Sequence, residues 1–161
     1  MSILDLVPLV FNFGFTKSKI LYMILSPRKS KFKKQQKGKS FNRINGTSNK
    51  FHCLHFGSIG LKALSAGRLT SSQIESVRQS ISKIVKKLGK IKINIFADTP
   101  ISKKPIEVRM GKGKGSVDHW ICKVKAGTVL FEIETDSLLL AIKALRLGQI
   151  RLPLKTKIIY N

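Results

Sequence analysis

Acidic residues are scarce in this chain. Its 161 residues contain 8 Asp and Glu against 31 Lys and Arg, which gives a formal net charge of +23. A small fold with so much charge of one sign repels itself, so we expect a polyanion to neutralise it. The few carboxylates are not paired with histidine in a pattern that suggests a catalytic triad, and the sequence therefore argues against an enzyme.

Cysteine is nearly absent as well. Cys53 and Cys122 are too few for a disulfide framework and indicate a reducing compartment. Cys53 follows His52 and lies close to His55, but this spacing matches no standard zinc knuckle. We therefore predict no metal site and no cofactor, and we interpret the group as surface histidines or an RNA contact.

Long apolar runs are lacking too. The region before residue 25 is rich in Leu, Ile and Phe, but Asp5, Pro8, Gly14, Lys17 and Lys19 interrupt it. It falls short of the roughly 20 apolar residues that a membrane-spanning helix needs. We interpret residues 1–24 as an N-terminal extension; an unprocessed targeting segment and a membrane anchor are the alternatives.

What the chain does contain is positive charge in a block. No acidic residue lies between Asp5 and Glu75, and the densest stretch, residues 26–43, shows neither a helical nor an alternating period. We interpret residues 25–55 as an extended basic arm that binds RNA and orders on binding; a solvated, disordered tail is the alternative. The candidate RNA-binding cations are Arg28, Lys29, Lys31, Lys33, Lys34, Lys37, Lys39, Arg43, Lys62 and Arg68.

A first helix is predicted after Thr70. Thr70 and Gln73 have the spacing of a capping box, and Gly89 stands where a C-terminal cap would lie. Apolar residues recur on one face at helical spacing, which predicts burial of that face. They are Ile74, Val77, Ile81, Ile84, Val85 and Leu88.

Three alternating stretches predict strands. Residues 91–97 read IKINIFA, and Asp98, Thr99 and Pro100 then provide turn chemistry that ends the strand. Two further sets of alternating apolar residues flank a short turn at residues 126–127 and suggest an antiparallel hairpin. These sets are Trp120, Cys122 and Val124, and Val129, Phe131 and Ile133.

A second helix is predicted from about Asp136, and residues 154–160 can supply a last strand. Taken alone, Gly148 could end this helix or lie within it. Leu139, Leu140 and Leu147 fall off the expected buried stripe and should leave apolar surface. The stripe itself comprises Leu138, Ala141, Ile142, Leu145 and Leu152.

These elements, with a 42% hydrophobic fraction that allows a real core, predict an α+β fold. Two helices pack on one face of a mainly antiparallel sheet, with the extended basic arm and a glycine-rich loop as appendages. Residues 56–161 form the globular domain.

The glycine-rich loop is residues 109–116, RMGKGKGS. Glycines let backbone approach a phosphate chain closely, and Arg109, Lys112 and Lys114 supply charge. The order of residues satisfies neither common nucleotide-binding motif. RNA contact is the favoured interpretation, and a flexible solvent loop is the alternative. The candidate residues are Arg109, Met110, Gly111, Lys112, Gly113, Lys114 and Gly115.

The order of motifs resembles the L-sixteen family of large-subunit ribosomal proteins, of the bacterial and organellar type. The matching pieces are LSPRKSKFKKQQKG at 25–38, FGSIGLKALSAGRLTSSQIES at 56–76, GKIKINIFADTPISKKPIEVRMGKGKGS at 89–116, W-x-x-x-V-x-x-G-x-V-L-F-E at 120–132 and LPLKTK at 152–157. The resemblance covers most of the chain.

The resemblance implies a non-catalytic protein that binds large-subunit ribosomal RNA near the peptidyl transferase centre and the aminoacyl-tRNA site. The arm and the loop would enter RNA, with the loop facing tRNA, and the second helix would continue through Gly148. Expected partners are this RNA, aminoacyl-tRNA, peptidyl-tRNA as a further candidate, and neighbouring ribosomal proteins. Neither membrane insertion nor a homo-oligomer is expected.

A mitochondrial ribosome is the expected location, with the plastid as the alternative, because of the extension and the divergent stretch at 40–55. A basic DNA-binding or architectural protein outside the ribosome is the chief rival hypothesis. A peripheral membrane protein anchored through the N-terminal region is a second rival.

Overall fold

Seven strands and two helices follow one another in the part of the chain that this computed structural model describes, residues 26–36, 44–49 and 51–160. They are β1 (Ile59–Ala63), β2 (Gly67–Thr70), α1 (Ser71–Val85), β3 (Gly89–Ile93), β4 (Thr99–Lys103), β5 (Ser116–Val124), β6 (Val129–Thr135), α2 (Leu138–Ile150) and β7 (Thr156–Tyr160). The predicted α+β class with antiparallel pairing is confirmed.

The strands divide between two sheets, which the sequence did not indicate. One has the order β3-β6-β1-β7 and the other the order β2-β5-β4, and every neighbouring pair is antiparallel. The predicted hairpin of β5 with β6 is therefore wrong. β5 pairs with β2 and β4, whereas β6 pairs with β1 and β3.

The physical reason lies in a shared crossing between the sheets. β1 and β2 are separated by three residues, and β1 pairs with β6 whereas β2 pairs with β5. The β1–β2 and β5–β6 connections therefore pass from one sheet to the other at the same place. There the Gly127 N–H donates to the Ala63 carbonyl at 2.7 Å, and the Ala63 N–H donates to the Thr128 carbonyl at 2.8 Å. The short turn thus marks a crossing and not a hairpin.

α1 begins as predicted. The Gln73 N–H donates to the Thr70 hydroxyl at 3.3 Å, and the Thr70 N–H donates to the Gln73 side-chain oxygen at 3.0 Å, which completes the capping box. Ile74, Val77, Ile81 and Val85 are buried as predicted, and Ile84 is half-buried. Burying such a face supplies most of the stability of a helix of this length.

The end of α1 differs from the prediction. The helix stops at Val85, Lys86 takes a positive φ of 50°, and its N–H donates to the Ser82 carbonyl at 2.9 Å. Leu88 is 67% exposed, so its predicted burial is wrong. The chain turns away from the helix axis before Leu88 can reach the buried face.

Gly89 is the first residue of β3 and not a helix cap. A Cβ placed on it would lie 2.0 Å from the Thr135 Cγ2 atom and 2.6 Å from the Glu134 carbonyl oxygen. Only glycine lets β3 approach β6 this closely. The prediction found an essential glycine but gave it the wrong role.

α2 passes through Gly148, as the family resemblance implied. A Cβ on Gly148 would lie 3.2 Å from side-chain atoms of Ile81 and Val77, so this glycine lets the two helices approach. Ala141 and Leu145 are buried on the same face. The small residues of α2 therefore set its contact with α1.

The buried face of α2 is rotated from the predicted stripe. Leu138 is 51% exposed, so its predicted burial is wrong, and Ile142 is half-buried. Leu139 and Leu147 are exposed as predicted, whereas Leu140 packs partly against the core. Leu152 is buried as predicted, but it lies beyond the helix end.

β4 was missed because of Pro100. Proline in a strand removes a backbone donor, and it is tolerated here because β4 is an edge strand. β3 ends at Ile93, although Ile95 and Ala97 of the predicted strand are buried. The last strand, β7, is confirmed.

Candidate nucleic-acid interface

The glycine-rich loop connects β4, an edge strand of the three-stranded sheet, to the neighbouring strand β5. Three consecutive residues, Gly111, Lys112 and Gly113, have positive φ values of 94°, 50° and 81°. Positive φ values are rare in residues other than glycine, so the two glycines make this loop conformation accessible. Every residue from Arg109 to Lys114 is exposed. The loop thus offers backbone and cations to a partner.

The base of this loop also depends on a glycine. A Cβ on Gly115 would lie 2.5 Å from the Lys103 carbonyl oxygen, so a side chain there would push the two strands apart. The Lys104 ammonium group donates to the Gly111 carbonyl from the other side of the loop. These contacts hold the loop in one shape.

The basic arm lies against this loop. The Lys34 ammonium group donates to the Lys114 carbonyl at 2.9 Å, and the Lys114 ammonium group donates to the Gln35 carbonyl. These residues are about 80 positions apart in sequence. Residues 28–36 of the arm are all exposed. The two segments that the sequence singled out therefore form one surface, which local patterns could not show.

The four cations at the contact of the arm with the loop, Lys34, Arg109, Lys112 and Lys114, are not neutralised by carboxylates of the described residues. Arg109, Lys112 and Lys114 form no ion pair with a described residue, and carbonyl oxygens accept from Lys34 and Lys114 instead. Carbonyl groups bear no net charge, so the field of the arm and loop stays positive. Such a field attracts polyanions.

Carboxylates are used elsewhere in the fold. On α1, Glu75 accepts from the Arg78 guanidinium at 2.6 and 2.8 Å. This hydrogen bond, opposed in part by burial, lowers the pKa of Glu75, and the same contact raises the pKa of Arg78. The pair stays ionised and compensates its own charge, away from the loop.

The remaining candidate cations are dispersed. Lys62 lies in β1, where its ammonium group donates to the His52 carbonyl at 3.0 Å. Arg68 lies in β2 and is paired across the sheet with Lys123, on the opposite side of β5 from β4. Lys37, Lys39 and Arg43 lie outside the described residues. Only part of the candidate set is therefore brought together.

The histidine cluster is exposed. His52, Cys53 and His55 are all at the surface, and the His52 Nδ1 atom lies 3.0 Å from the Asn49 carbonyl.

The other cysteine, Cys122, is buried. Burial, together with the charge of Asp98, raises the pKa of the Cys122 thiol to about 11. Within residues 26–36, 44–49 and 51–160, no three side chains suited to a metal ion come together.

Sequence reasoning missed the importance of Glu132. This residue is fully buried in β6. Its Oε2 atom accepts the N–H groups of Phe56, Gly57 and His55 at 2.6, 3.1 and 3.2 Å, and its Oε1 atom accepts the Asn94 amide at 2.5 Å. Burial alone would raise the pKa of Glu132, but these hydrogen bonds outweigh it and lower the pKa.

Glu132 thereby fastens the segment that leads from the arm into β1. Only its position among apolar residues of a predicted strand could have signalled this role, because a charged residue buried in a sheet needs hydrogen-bond partners.

No helix of the described chain is long and apolar enough to cross a membrane.

Comparison with known proteins adds the family. The model of the family described as ribosomal protein L16p/L10e matches residues 27–159. The large ribosomal subunit protein uL16 of Maricaulis maris is 49% identical over 136 residues, covering 84% of this chain and 96% of that protein. The protein of the same name from Cereibacter sphaeroides is 47% identical with the same coverage. The chain therefore belongs to the ribosomal protein L16p/L10e family.

Proposed function

We propose that this chain is a structural constituent of the large ribosomal subunit that binds its ribosomal RNA and has no catalytic role. The observation that carries the proposal is the contact of the basic arm with the glycine-rich loop, through Lys34 and Lys114. The names of the relatives, large ribosomal subunit protein uL16, support it. The arm and loop form the RNA-binding surface, near the aminoacyl-tRNA site and the peptidyl transferase centre.

Binding is mainly electrostatic. Each Lys or Arg that neutralises a phosphate releases condensed counterions, so the affinity falls with salt at a log-log slope of roughly 0.7 to 0.9 per contact. The Lys34 and Lys114 ammonium groups already hold carbonyl oxygens, which orients both segments before RNA arrives. Less ordering is then required on binding.

Specificity comes from shape. Folded RNA presents phosphates, 2′-hydroxyls and unstacked bases at fixed positions, and the globular core fixes where the arm and loop enter it. The family resemblance implies that the loop faces tRNA, and we assign this contact to the tip of the loop, where the fully exposed Met110 lies next to the three positive-φ residues. Arg109 and Lys112 bind phosphates beside it.

The cellular location belongs to the same proposal. The family match starts at residue 27 and so leaves out the apolar N-terminal region. We assign residues 1–24 to an extension, residues 25–55 to the arm and residues 56–161 to the globular domain, in a mitochondrial ribosome with the plastid as alternative. Mass spectrometry of purified mitochondrial ribosomes should find the chain and its true N-terminus; recovery only from plastid ribosomes would overturn the mitochondrial location.

The RNA-binding proposal is tested with purified protein and competition. The chain should bind large-subunit ribosomal RNA more tightly than heparin or random-sequence RNA, and it should sediment with large subunits until high salt removes it. Equal affinity for every polyanion, without co-sedimentation, would exclude the ribosomal function. It would favour the rival hypothesis of a general nucleic-acid-binding protein.

A further inference from the structure

A second feature suited to RNA lies away from the loop, where the two sheets meet. It is a cavity of about 470 Å³, within the roughly 300–1,000 Å³ range typical of ligand pockets. Its lining includes two aromatic rings, five amide or hydroxyl side chains and two lysines. The residues placed to hold a ligand are Phe51, Phe96, Asn94, Lys123 and Lys125.

The walls of this cavity are fixed by backbone hydrogen bonds. On one side the Ser48 N–H donates to the Ala126 carbonyl at 2.8 Å, and the Val129 N–H donates to the Phe51 carbonyl at 2.7 Å. On the other side the Asn94 N–H donates to the Leu130 carbonyl at 3.0 Å. The cavity is therefore preformed, so filling it requires little ordering.

The two phenylalanines provide the apolar part. Phe51 and Phe96 are each 44% exposed, although phenylalanine in a protein that acts alone is mostly buried. An aromatic ring at the mouth of a cavity can stack on a nucleobase, and this contact is available to every base.

The polar groups are placed for the rest of a nucleotide. Lys123 is half-buried and Lys125 exposed, so both can reach a phosphate. The Asn94 Nδ2 atom is committed to Glu132, which leaves Oδ1 as the free end of this amide. A carbonyl oxygen accepts from the exocyclic amino group of adenine, cytosine or guanine.

We propose that this cavity binds one unstacked nucleotide of ribosomal RNA, with its base against Phe51 and Phe96 and its phosphate at Lys123 and Lys125. The inference rests on the proposed function and extends it. Residues 28–36 of the arm and the loop bind the phosphate chain, whereas the cavity, which later arm residues such as Ser48 and Phe51 help to line, reads a single extruded base.

The first test replaces aromatic stacking while it keeps an apolar side chain. Phe96→Leu should weaken binding to large-subunit ribosomal RNA by about fivefold or more, since a stacked base contributes severalfold or more to affinity. Phe56→Leu is the matched control, because Phe56 has a similar exposure of 42% but does not line the cavity. An equal effect of both substitutions would overturn the proposal.

The salt dependence separates stacking from charge. Phe96→Leu should lower the affinity by the same factor at every salt concentration, because a phenyl ring releases no counterions. Lys125→Gln should instead reduce the log-log slope by about 0.7, the value for one phosphate of a single strand. A slope changed by Phe96→Leu would contradict the assigned roles.

Ultraviolet crosslinking of assembled large subunits gives the direct result. Mass spectrometry should find one nucleotide attached to a peptide that contains Phe51 or Phe96. If the wild-type chain prefers large-subunit RNA, but neither peptide carries a nucleotide and Phe96→Leu binds normally, the cavity proposal fails and the proposed function stands. If the wild-type chain shows no such preference, the proposed function itself fails, and this inference fails with it.

Discussion

In β6 the carboxylate of Glu132 is fully buried and accepts hydrogen bonds from three backbone N–H groups and one amide, whereas Lys112 and Lys114 stand exposed on the glycine-rich loop. A buried charge contributes to stability only while each partner is in place. An exposed cation contributes little to stability and remains available to a partner. This chain therefore keeps its structural charge and its binding charge in separate regions.

The largest effect is expected where the buried charge is removed. Glu132→Gln should lower the free energy of unfolding by about 3 kcal/mol, because a glutamine amide cannot accept from all the donors that Glu132 satisfies. Denaturant unfolding followed by circular dichroism measures this loss. Glu134→Gln is the control: Glu134 is half-exposed and 3.8 Å from Lys90, so its loss should stay below about 1 kcal/mol.

The same pair of variants can be compared across pH. The pKa of Glu132 is lowered in the folded state, so its contribution is full above the unfolded-state value and is lost as pH falls through the folded-state pKa. The stability difference between wild type and Glu132→Gln should therefore narrow under acidic conditions. A constant difference down to acid unfolding would show that the charge of Glu132 is not what stabilises the fold.

Glycines provide the next comparison. Gly89→Ala should cost about 2 kcal/mol of unfolding free energy, because its Cβ would overlap Thr135 and the backbone of β6. Gly113→Ala meets nothing within 4 Å, but it must adopt a φ of 81°. We expect it to alter the loop and to reduce RNA affinity while thermal stability is nearly unchanged. Equal destabilisation by both variants would contradict the separation of the structural core from the binding loop.

The next prediction removes binding charge. Arg109→Ala combined with Lys112→Ala should leave unfolding within about 0.5 kcal/mol of wild type, because both side chains are exposed. The slope of log affinity against log salt should fall by about 1.4 to 1.8 if both bind phosphates. Titration with large-subunit RNA at several salt concentrations gives this slope. Loss of fold, seen by circular dichroism, would show that the loop is part of the core.

The smallest effect tests whether arm and loop act together. Lys34→Ala and Lys114→Ala should be non-additive in RNA affinity by about 0.5–1 kcal/mol, because each removes one of the two reciprocal hydrogen bonds. Lys34→Ala with Lys87→Ala is the control, since Lys87 has no described hydrogen bond to the arm. Strict additivity in the first pair would indicate that the two segments bind RNA independently.

Local patterns predicted what local interactions decide. The capping box of Thr70 with Gln73 involves residues three apart, so the start of α1 could be placed correctly. The pairing partner of β5 could not, because a four-residue connection fits a hairpin as well as a crossing between sheets. The sequence favours pairing β5 with β6, the nearest apolar strand, but β2 lies beside β5 and β1 lies beside β6.

In the candidate site, too, local sequence predicted the separate segments but not the contacts between them. Composition alone indicated the arm and the loop, because charge runs and alternating glycines are visible in any window of sequence. Their contact through Lys34 and Lys114 was invisible, since about 80 residues intervene. The cavity lined by Phe51 and Phe96 was missed for the same reason, because no pattern relates two phenylalanines 45 positions apart.

Local sequence suffices to predict the excess of positive charge, the helix starts, the alternating strands and the glycine-rich loop, because each depends on neighbouring residues. Only the tertiary structure decided which strands share a sheet, which carboxylate is buried and which cations lie side by side. Those outcomes depend on burying apolar surface and satisfying backbone donors across the whole chain at once, and no local stretch contains that information.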